Sequence, residues 1–130
     1  MSDIINQIKA LPNFFSLIGA TEESISEAEK VLLLKFSDEY KEIVSSFGSV
    51  SVNGHELTGI CQSSRLNVVC VTLAEREAHR FVPLDLYVIE QANIDGIVIW
   101  QSASGEVYQS MPGAPMIKLC DSIIEYINLK

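Results

Sequence analysis

The chain has 130 residues, of which 48% are hydrophobic and 20% charged, and its formal net charge is −8. This length and composition are typical of one globular domain, residues 1–130, and exclude a disordered chain. No apolar run approaches the ~18 residues that span a bilayer, and the chain does not begin with a secretion signal, so we expect a soluble, cytoplasmic protein without a membrane partner. Seventeen acidic against nine basic residues disfavour direct binding of nucleic acid.

Three helices are predicted in the first part of the chain. Apolar residues recur at helical spacing over residues 3–11. Ser24 and Glu27 have the spacing of a capping box, which predicts that a second helix begins there. A third helix is expected to be capped at Ser37 or Asp38, because apolar residues again repeat at helical spacing after that point.

A β-hairpin and a short helix are predicted next. The Asn53-Gly54 pair lies between alternating residues, which is the strongest short-range indication of a two-residue hairpin turn. Residues 67–71 are rich in β-branched side chains, so they are expected to be extended. A helix is then expected to begin at Thr72, which forms a second capping box with a glutamate three residues later.

The last part of the chain predicts a sheet. Residues 86–91, 97–102 and 107–110 read as strands joined by Asp-Gly and Ser-Gly turns, and residues 119–129 as a final helix. Together with the hairpin, these strands predict an antiparallel, meander-like sheet of about four to six strands. The expected fold is therefore a single α+β domain with helices packed on one side of the sheet.

No catalytic, cofactor or metal site is predicted. The chain contains no glycine-rich phosphate loop, and the segment around Ser104 lacks the leading glycine of a nucleophile elbow. Cys70 and His79 are the nearest approach to a catalytic Cys–His pair, but Cys70 lies among valines and is expected to be inert. Glu75 and His79 are interpreted as an exposed pair on a helix surface, not as metal ligands. All three cysteines are expected to be buried, free thiols.

Protein binding remains as the expected activity. Trp100 is expected to fill the core or a sheet face, and a role as a binding anchor is the less favoured alternative. Glu56, Glu90 and Glu106 lie near the predicted sheet. Like Glu39 and Glu42, they are expected to be solvated surface charge, and these carboxylates would form a docking patch only if several converged on one face.

A series of short motifs follows one another along the chain. Their residues are Ile25, Ala28 and Glu29 in the acidic helix, Tyr40, Val44, Phe47 and Gly48 in the next helix, Gly54, Glu56, Leu57, Gly59 and Ile60 in the hairpin region, and YVIEQANIDG and GEVY in the last strands. This order resembles the SUKH superfamily, to which yeast cell-wall assembly regulators and many bacterial immunity proteins belong. The resemblance runs from about residue 20 onward. One departure is Phe36-Ser37, where family members often have Leu-Pro; serine can cap the helix instead.

The resemblance implies a non-enzymatic α+β domain that binds another protein. Such bacterial domains typically neutralise a toxin encoded next to them, often a nuclease. A negative surface suits steering onto a basic toxin, and Glu56, Glu90, Glu106 and Trp100 are the predicted partner-binding residues. The alternative is a regulatory scaffold for signalling or cell-wall-assembly proteins. We expect a monomer or a weak homodimer, since an exposed edge strand of a meander can pair with a second copy.

Overall fold

The computed structural model describes residues 3–129, which form five helices and seven strands. The helices are α1 (Ile4–Lys9), α2 (Glu22–Leu32), α3 (Asp38–Phe47), α4 (Val68–Ala78) and α5 (Ile123–Ile127). The strands are β1 (Phe15–Ser16), β2 (Val50–Val52), β3 (His55–Glu56), β4 (Tyr87–Gln91), β5 (Val98–Gln101), β6 (Val107–Met111) and β7 (Ala114–Cys120). The predicted α+β class is confirmed.

The described strands form two antiparallel sheets, in the orders β1-β2-β3 and β4-β5-β6-β7. The Asn53-Gly54 hairpin is present, with Val52 opposite His55 as its two-residue turn requires. It does not, however, extend the four-stranded meander, because the chain leaves β3 after two residues. A hydrogen bond of 2.8 Å from the Thr58 N–H to the Ile89 carbonyl joins the two sheets instead.

Two strands were not predicted. β1 pairs with β2 along only two residues, too few to produce an alternating pattern. β7 pairs with β6 after a turn at Gly113. Two register shifts interrupt the pairing, so its side chains do not show the regular alternation of apolar and polar residues that predicts a strand. As the free edge of its sheet, β7 carries Pro115 and Lys118, both of which disfavour pairing with another strand.

Helix starts depend on which side chain reaches the first free N–H groups. Ser37 caps α3 as predicted, accepting from the Tyr40 N–H at 2.9 Å. For α2, however, the cap is Thr21 rather than Ser24. For α4 it is Asn67, so the β-branched residues predicted as extended are helical. The Thr72 hydroxyl instead accepts from the backbone N–H of Val88 at 3.0 Å, along the edge of β4.

The core lies mainly between one face of the four-stranded sheet and helices α1, α2, α3 and α5, as predicted. A smaller cluster covers the opposite face and consists of Val71, Val82, Leu86, Val88, Val98 and Trp100. Helix α4 lies beside β4, with Val68 in the main core and Val71 in the smaller cluster. Three tyrosines, which we call the buried tyrosines, lie in the main core: Tyr40, Tyr87 and Tyr126.

A buried polar network ties α3 and α5 to the sheet. The Glu39 carboxylate of α3 accepts from the backbone N–H groups of Ile123 and Ile124, at 2.7 and 3.0 Å, and so caps the start of α5. It also accepts from Nε2 of Gln101 at 2.9 Å. Gln101 is fully buried, and its Oε1 accepts from the Tyr87 hydroxyl at 2.7 Å.

Candidate functional site

Glu90, a predicted partner-binding residue, is buried and holds three elements together. Its Oε1 accepts from Nδ1 of His55 at 2.8 Å and from the Tyr126 hydroxyl, while its Oε2 accepts from the Glu56 N–H at 2.8 Å. Burial, together with this carboxylate, raises the pKa of the Tyr126 hydroxyl. With 7% of its surface exposed and both oxygens occupied, Glu90 stabilises the fold and has little capacity left for a partner.

Glu56 is exposed and Glu106 is partly exposed, but each is already paired. Glu56 accepts two hydrogen bonds from the Arg65 guanidinium, at 2.6 and 3.0 Å, and this pairing lowers the pKa of the Glu56 carboxyl. Glu106 accepts from the Tyr108 hydroxyl at 2.9 Å and from Lys118 at 3.1 Å, and these contacts lower its pKa. A partner would have to compete with these local cations.

The three predicted acids do not form one patch. Across the sheet, Glu90 of β4 is aligned with Ile99 of β5, and Ile99 is aligned with Gln109 of β6. Glu106 precedes β6 and lies three residues before Gln109, so it is two strands across and three residues along from Glu90. Strand geometry therefore separates Glu90 and Glu106 by about 14 Å. They also lie on opposite faces, because Glu90 bonds to α5 and Glu106 to Tyr108, which packs on the smaller cluster.

Trp100 is fully buried, so its expected place in the core is confirmed and no partner can reach it as an anchor. Its Nε1 donates to Oγ of Ser110 at 2.8 Å, and that hydroxyl lies 3.2 Å from Nδ1 of His79. Nε2 of His79 lies 3.6 Å from the Glu75 carboxylate. The Ser110 hydroxyl therefore bridges the Trp100 indole and the His79 imidazole in the interior.

Glu75, His79 and Ser110 are the residue types of a hydrolase triad, but here they form a hydrogen-bonded chain that stabilises the interior. Ser110 is fully buried and its hydroxyl already bonds to Trp100, so it offers no accessible nucleophile. The prediction that Glu75 and His79 form an exposed pair is wrong, since only 4% of His79 is exposed. The chain turns inward at the end of α4, where His79 is the C-cap.

An open groove of about 850 Å³ lies between α2 and α3 and is lined mainly by charged side chains. They are Glu22, Glu23, Glu27, Glu29 and Glu42, with Lys30 and Lys41, a net charge of −3. Glu29 is buried and accepts from the Phe36 N–H at 2.8 Å. The carboxylates of the other four form no ion pair or hydrogen bond with any described residue, unlike those of Glu56 and Glu106.

The cysteines are free, as predicted, but they are less buried than predicted. Cys70 is exposed on the outer face of α4, and Cys61 and Cys120 are partly exposed. Burial raises the pKa of the Cys120 thiol, which keeps it protonated. Within residues 3–129, no group of three or more His, Cys, Asp or Glu side chains is placed to hold a metal ion. None of the described helices is long and apolar enough to cross a membrane.

Comparison with known families identifies the architecture. The family model SUKH_5, described as SMI1-KNR4 cell-wall, matches residues 1–128. The chain belongs to the SUKH family. The match starts at residue 1, whereas the motifs resembled the family only from about residue 20, so α1 and β1 are part of the SUKH domain. A search of curated proteins finds no match.

The motif residues of this SUKH domain are mainly architectural. A Cβ on Gly59 would lie 1.8 Å from the Gly48 carbonyl oxygen, so the backbones approach too closely for a side chain. The Tyr40 hydroxyl lies 2.9 Å from Oγ1 of Thr58, beside the contact between the two sheets. The acidic helix α2 is different, because its buried motif residues Ile25 and Glu29 lie at the base of the groove, beside the exposed glutamates that line it.

Proposed function

We propose that this SUKH domain is an immunity protein that binds and neutralises a basic toxin domain, and that the groove between α2 and α3 is the principal contact. The observation that carries the proposal is a set of four glutamates on two neighbouring helices that pair with none of residues 3–129: Glu22, Glu23, Glu27 and Glu42. Family membership supports the class of function, since SUKH domains are often immunity proteins. The toxin is expected to be encoded beside this protein.

Electrostatics give the groove a physical role in association. Fixed charges of one sign in a cleft raise the association rate of an oppositely charged partner by roughly 10- to 1,000-fold at low salt. A nuclease is a fitting partner, because its nucleic-acid-binding surface is basic. An acidic domain seated on that surface blocks nucleic acid without any covalent step.

Charge reversal on both walls of the groove tests this proposal. In a Glu27→Lys/Glu42→Lys variant, the association rate with the toxin domain encoded by a neighbouring gene should fall at least tenfold at low salt, because attraction becomes repulsion. A Glu77→Lys/Glu125→Lys variant is the matched control, since it changes the net charge equally at exposed sites outside the groove. Binding kinetics, inhibition of toxin activity and survival of co-expressing cells are the readouts.

Two results would contradict the proposal. If no toxin domain encoded by a neighbouring gene binds the wild-type protein, the immunity function is wrong. If the groove variant and its control lose the same amount of binding, only total charge matters and the groove is not the contact.

A second candidate function is a regulatory scaffold for cell-wall-assembly or signalling proteins. The family description, which names the cell wall, favours it. The two functions predict different outcomes in cells. Deleting the gene of an immunity protein is harmful only when the toxin is present, whereas deleting a regulator changes the cell wall in its absence.

A further inference from the structure

The three-stranded sheet has an open, apolar edge at β1. This strand pairs with β2 on one side, and none of the described strands pairs with its other side. Phe15 and Leu17 lie on one face of the extended segment, because side chains alternate, and they are 64% and 40% exposed. Ile18 follows and is 91% exposed. We call residues 15–18 the β1 edge; an open groove of about 800 Å³ lies between it and residues 61–63.

The backbone of Ser16 faces away from its own sheet. In antiparallel pairs, residues that bond to the neighbouring strand alternate with residues whose N–H and carbonyl point to the opposite side. The Leu17 N–H donates to the Ser49 carbonyl at 3.0 Å, so Ser16, one residue earlier, points outward. The residue opposite Ser16, Val50, agrees with this, because its carbonyl accepts from the Leu57 N–H on the β3 side. The N–H and carbonyl of Ser16 bond to none of residues 3–129, so they are available to an added strand.

This edge is self-complementary about Ser16. When two copies run antiparallel with Ser16 opposite Ser16, each Ser16 donates its N–H to the carbonyl of the other, and both free groups are satisfied. The same register places Phe15 of each copy opposite Leu17 of the other, so that exposed apolar side chains cover one another. We propose that the β1 edge is a homodimer interface, at which two three-stranded sheets join into one six-stranded sheet.

The distribution of charge favours a second copy over an unrelated partner. Residues 10–21 contain no charged side chain, although the chain has 17 acidic and nine basic residues, and the lining of the adjoining groove is uncharged too. Two copies that each carry a net charge of −8 meet with the least repulsion at an uncharged edge, whereas a basic protein is not attracted there. β1 also contains neither a proline nor a lysine, unlike β7 with Pro115 and Lys118.

The dimer is expected to be weak, because the edge is short and the total charge of the two copies opposes association. It should be populated at high protein concentration and strengthened by salt, which screens the repulsion. The β1 edge does not line the acidic groove. The inference therefore does not depend on the proposed immunity function, and the failure of one leaves the other standing.

Sedimentation equilibrium of the full chain in high salt, from about 10 μM to about 1 mM protein, covers the dissociation constants of weak complexes. The wild-type protein should dimerise in this range. Ser16→Pro removes the outward N–H but no hydrogen bond within the domain, and proline is tolerated on a free strand edge. This variant should raise the dissociation constant at least tenfold while its circular dichroism spectrum stays that of the wild type.

A lysine variant tests the apolar contact. Leu17→Lys places a charge against Phe15 of the other copy and should raise the dissociation constant at least tenfold. Ile117→Lys is the matched control, since it makes the same change of charge at a residue that is 48% exposed in the edge strand β7. The control should not weaken dimerisation.

Cysteine crosslinking tests the register. With Ser16 opposite Ser16, the Cα atoms of residue 15 and of residue 17 in the other copy lie about 4.5 Å apart, whereas the two residues 15 lie roughly 8 Å apart. A disulfide needs a Cα separation below about 7 Å. A mixture of Phe15→Cys and Leu17→Cys should therefore form a disulfide-linked dimer under oxidising conditions, and either variant alone should not. The wild-type protein measures the background from its own exposed Cys70.

Three results would overturn the inference. They are a wild-type protein that stays monomeric throughout the range, folded Ser16→Pro and Leu17→Lys variants that dimerise like the wild type, and a cysteine mixture that crosslinks no more than its single variants. A monomer whose β1 edge is protected from hydrogen exchange only in a complex with another protein would assign the edge to that protein instead.

Discussion

Replacing Glu90 by glutamine should destabilise the fold, because three donors share this buried carboxylate. A glutamine has one oxygen and one NH₂ group, so at least one donor among His55 Nδ1, the Glu56 N–H and the Tyr126 hydroxyl faces another donor. A buried donor left without an acceptor costs about 1–3 kcal/mol. Loss of the charge from the remaining hydrogen bonds adds about 1 kcal/mol, for a total of about 2–4 kcal/mol.

Urea unfolding followed by circular dichroism measures this change. The Glu90→Gln variant should show a lower midpoint with an unchanged slope, and its melting temperature should fall by about 10 °C. Glu106→Gln is the matched control, since it makes the same chemical change and the same change of net charge at a partly exposed site. Its free energy of unfolding should fall by less than about 1 kcal/mol, because a solvent-accessible ion pair contributes little to stability. Equal midpoints for both variants would refute the assignment of Glu90 as a structural residue.

Two further predictions concern the core. Burial raises the pKa values of the three buried tyrosines, so the native state holds their protons more tightly than the unfolded state. Stability should therefore be complete below about pH 10 and fall above it by up to about 4 kcal/mol per pH unit; absorbance at 295 nm should show only Tyr108 titrating before unfolding. Gly59→Ala should unfold the protein or cost more than about 3 kcal/mol, because its Cβ meets the Gly48 backbone. Gly54→Ala, which has φ +83° but open space, should cost only about 1 kcal/mol in the same urea assay; equal losses would exclude the close approach as the cause.

Local features were predictable wherever one short segment contains all the information. The Asn53-Gly54 turn imposes its own register, and Ser37 lies next to the N–H groups that it caps. Prediction from a short segment failed at α4, because two nearby residues can each cap a helix. Asn67 caps α4, and Thr72 therefore lies inside the helix. Thr72 forms its own hydrogen bond with Val88, 16 residues away, which no capping pattern can reveal.

The charge pattern was predictable only as a total. The sequence contains the acidic residues of α2, but only tertiary packing brings Glu42 of α3 to the other wall of the groove. The sequence likewise suggested Glu56, Glu90 and Glu106 as a patch, whereas packing buries Glu90 and pairs the other two with Arg65 and Lys118.

By itself, the sequence determined a single α+β domain, the periodicity of its main helices, the hairpin and the SUKH family. These depend on short-range spacing and on the order of motifs, both of which are properties of the linear chain. The tertiary structure decided which polar side chains are paired within the domain and which remain available to a partner. The partners of Glu90 and Glu39 lie 35 and 84 residues away, and burial is the sum of all such contacts. A pattern of neighbouring residues therefore cannot predict which side chains are buried by such long-range contacts.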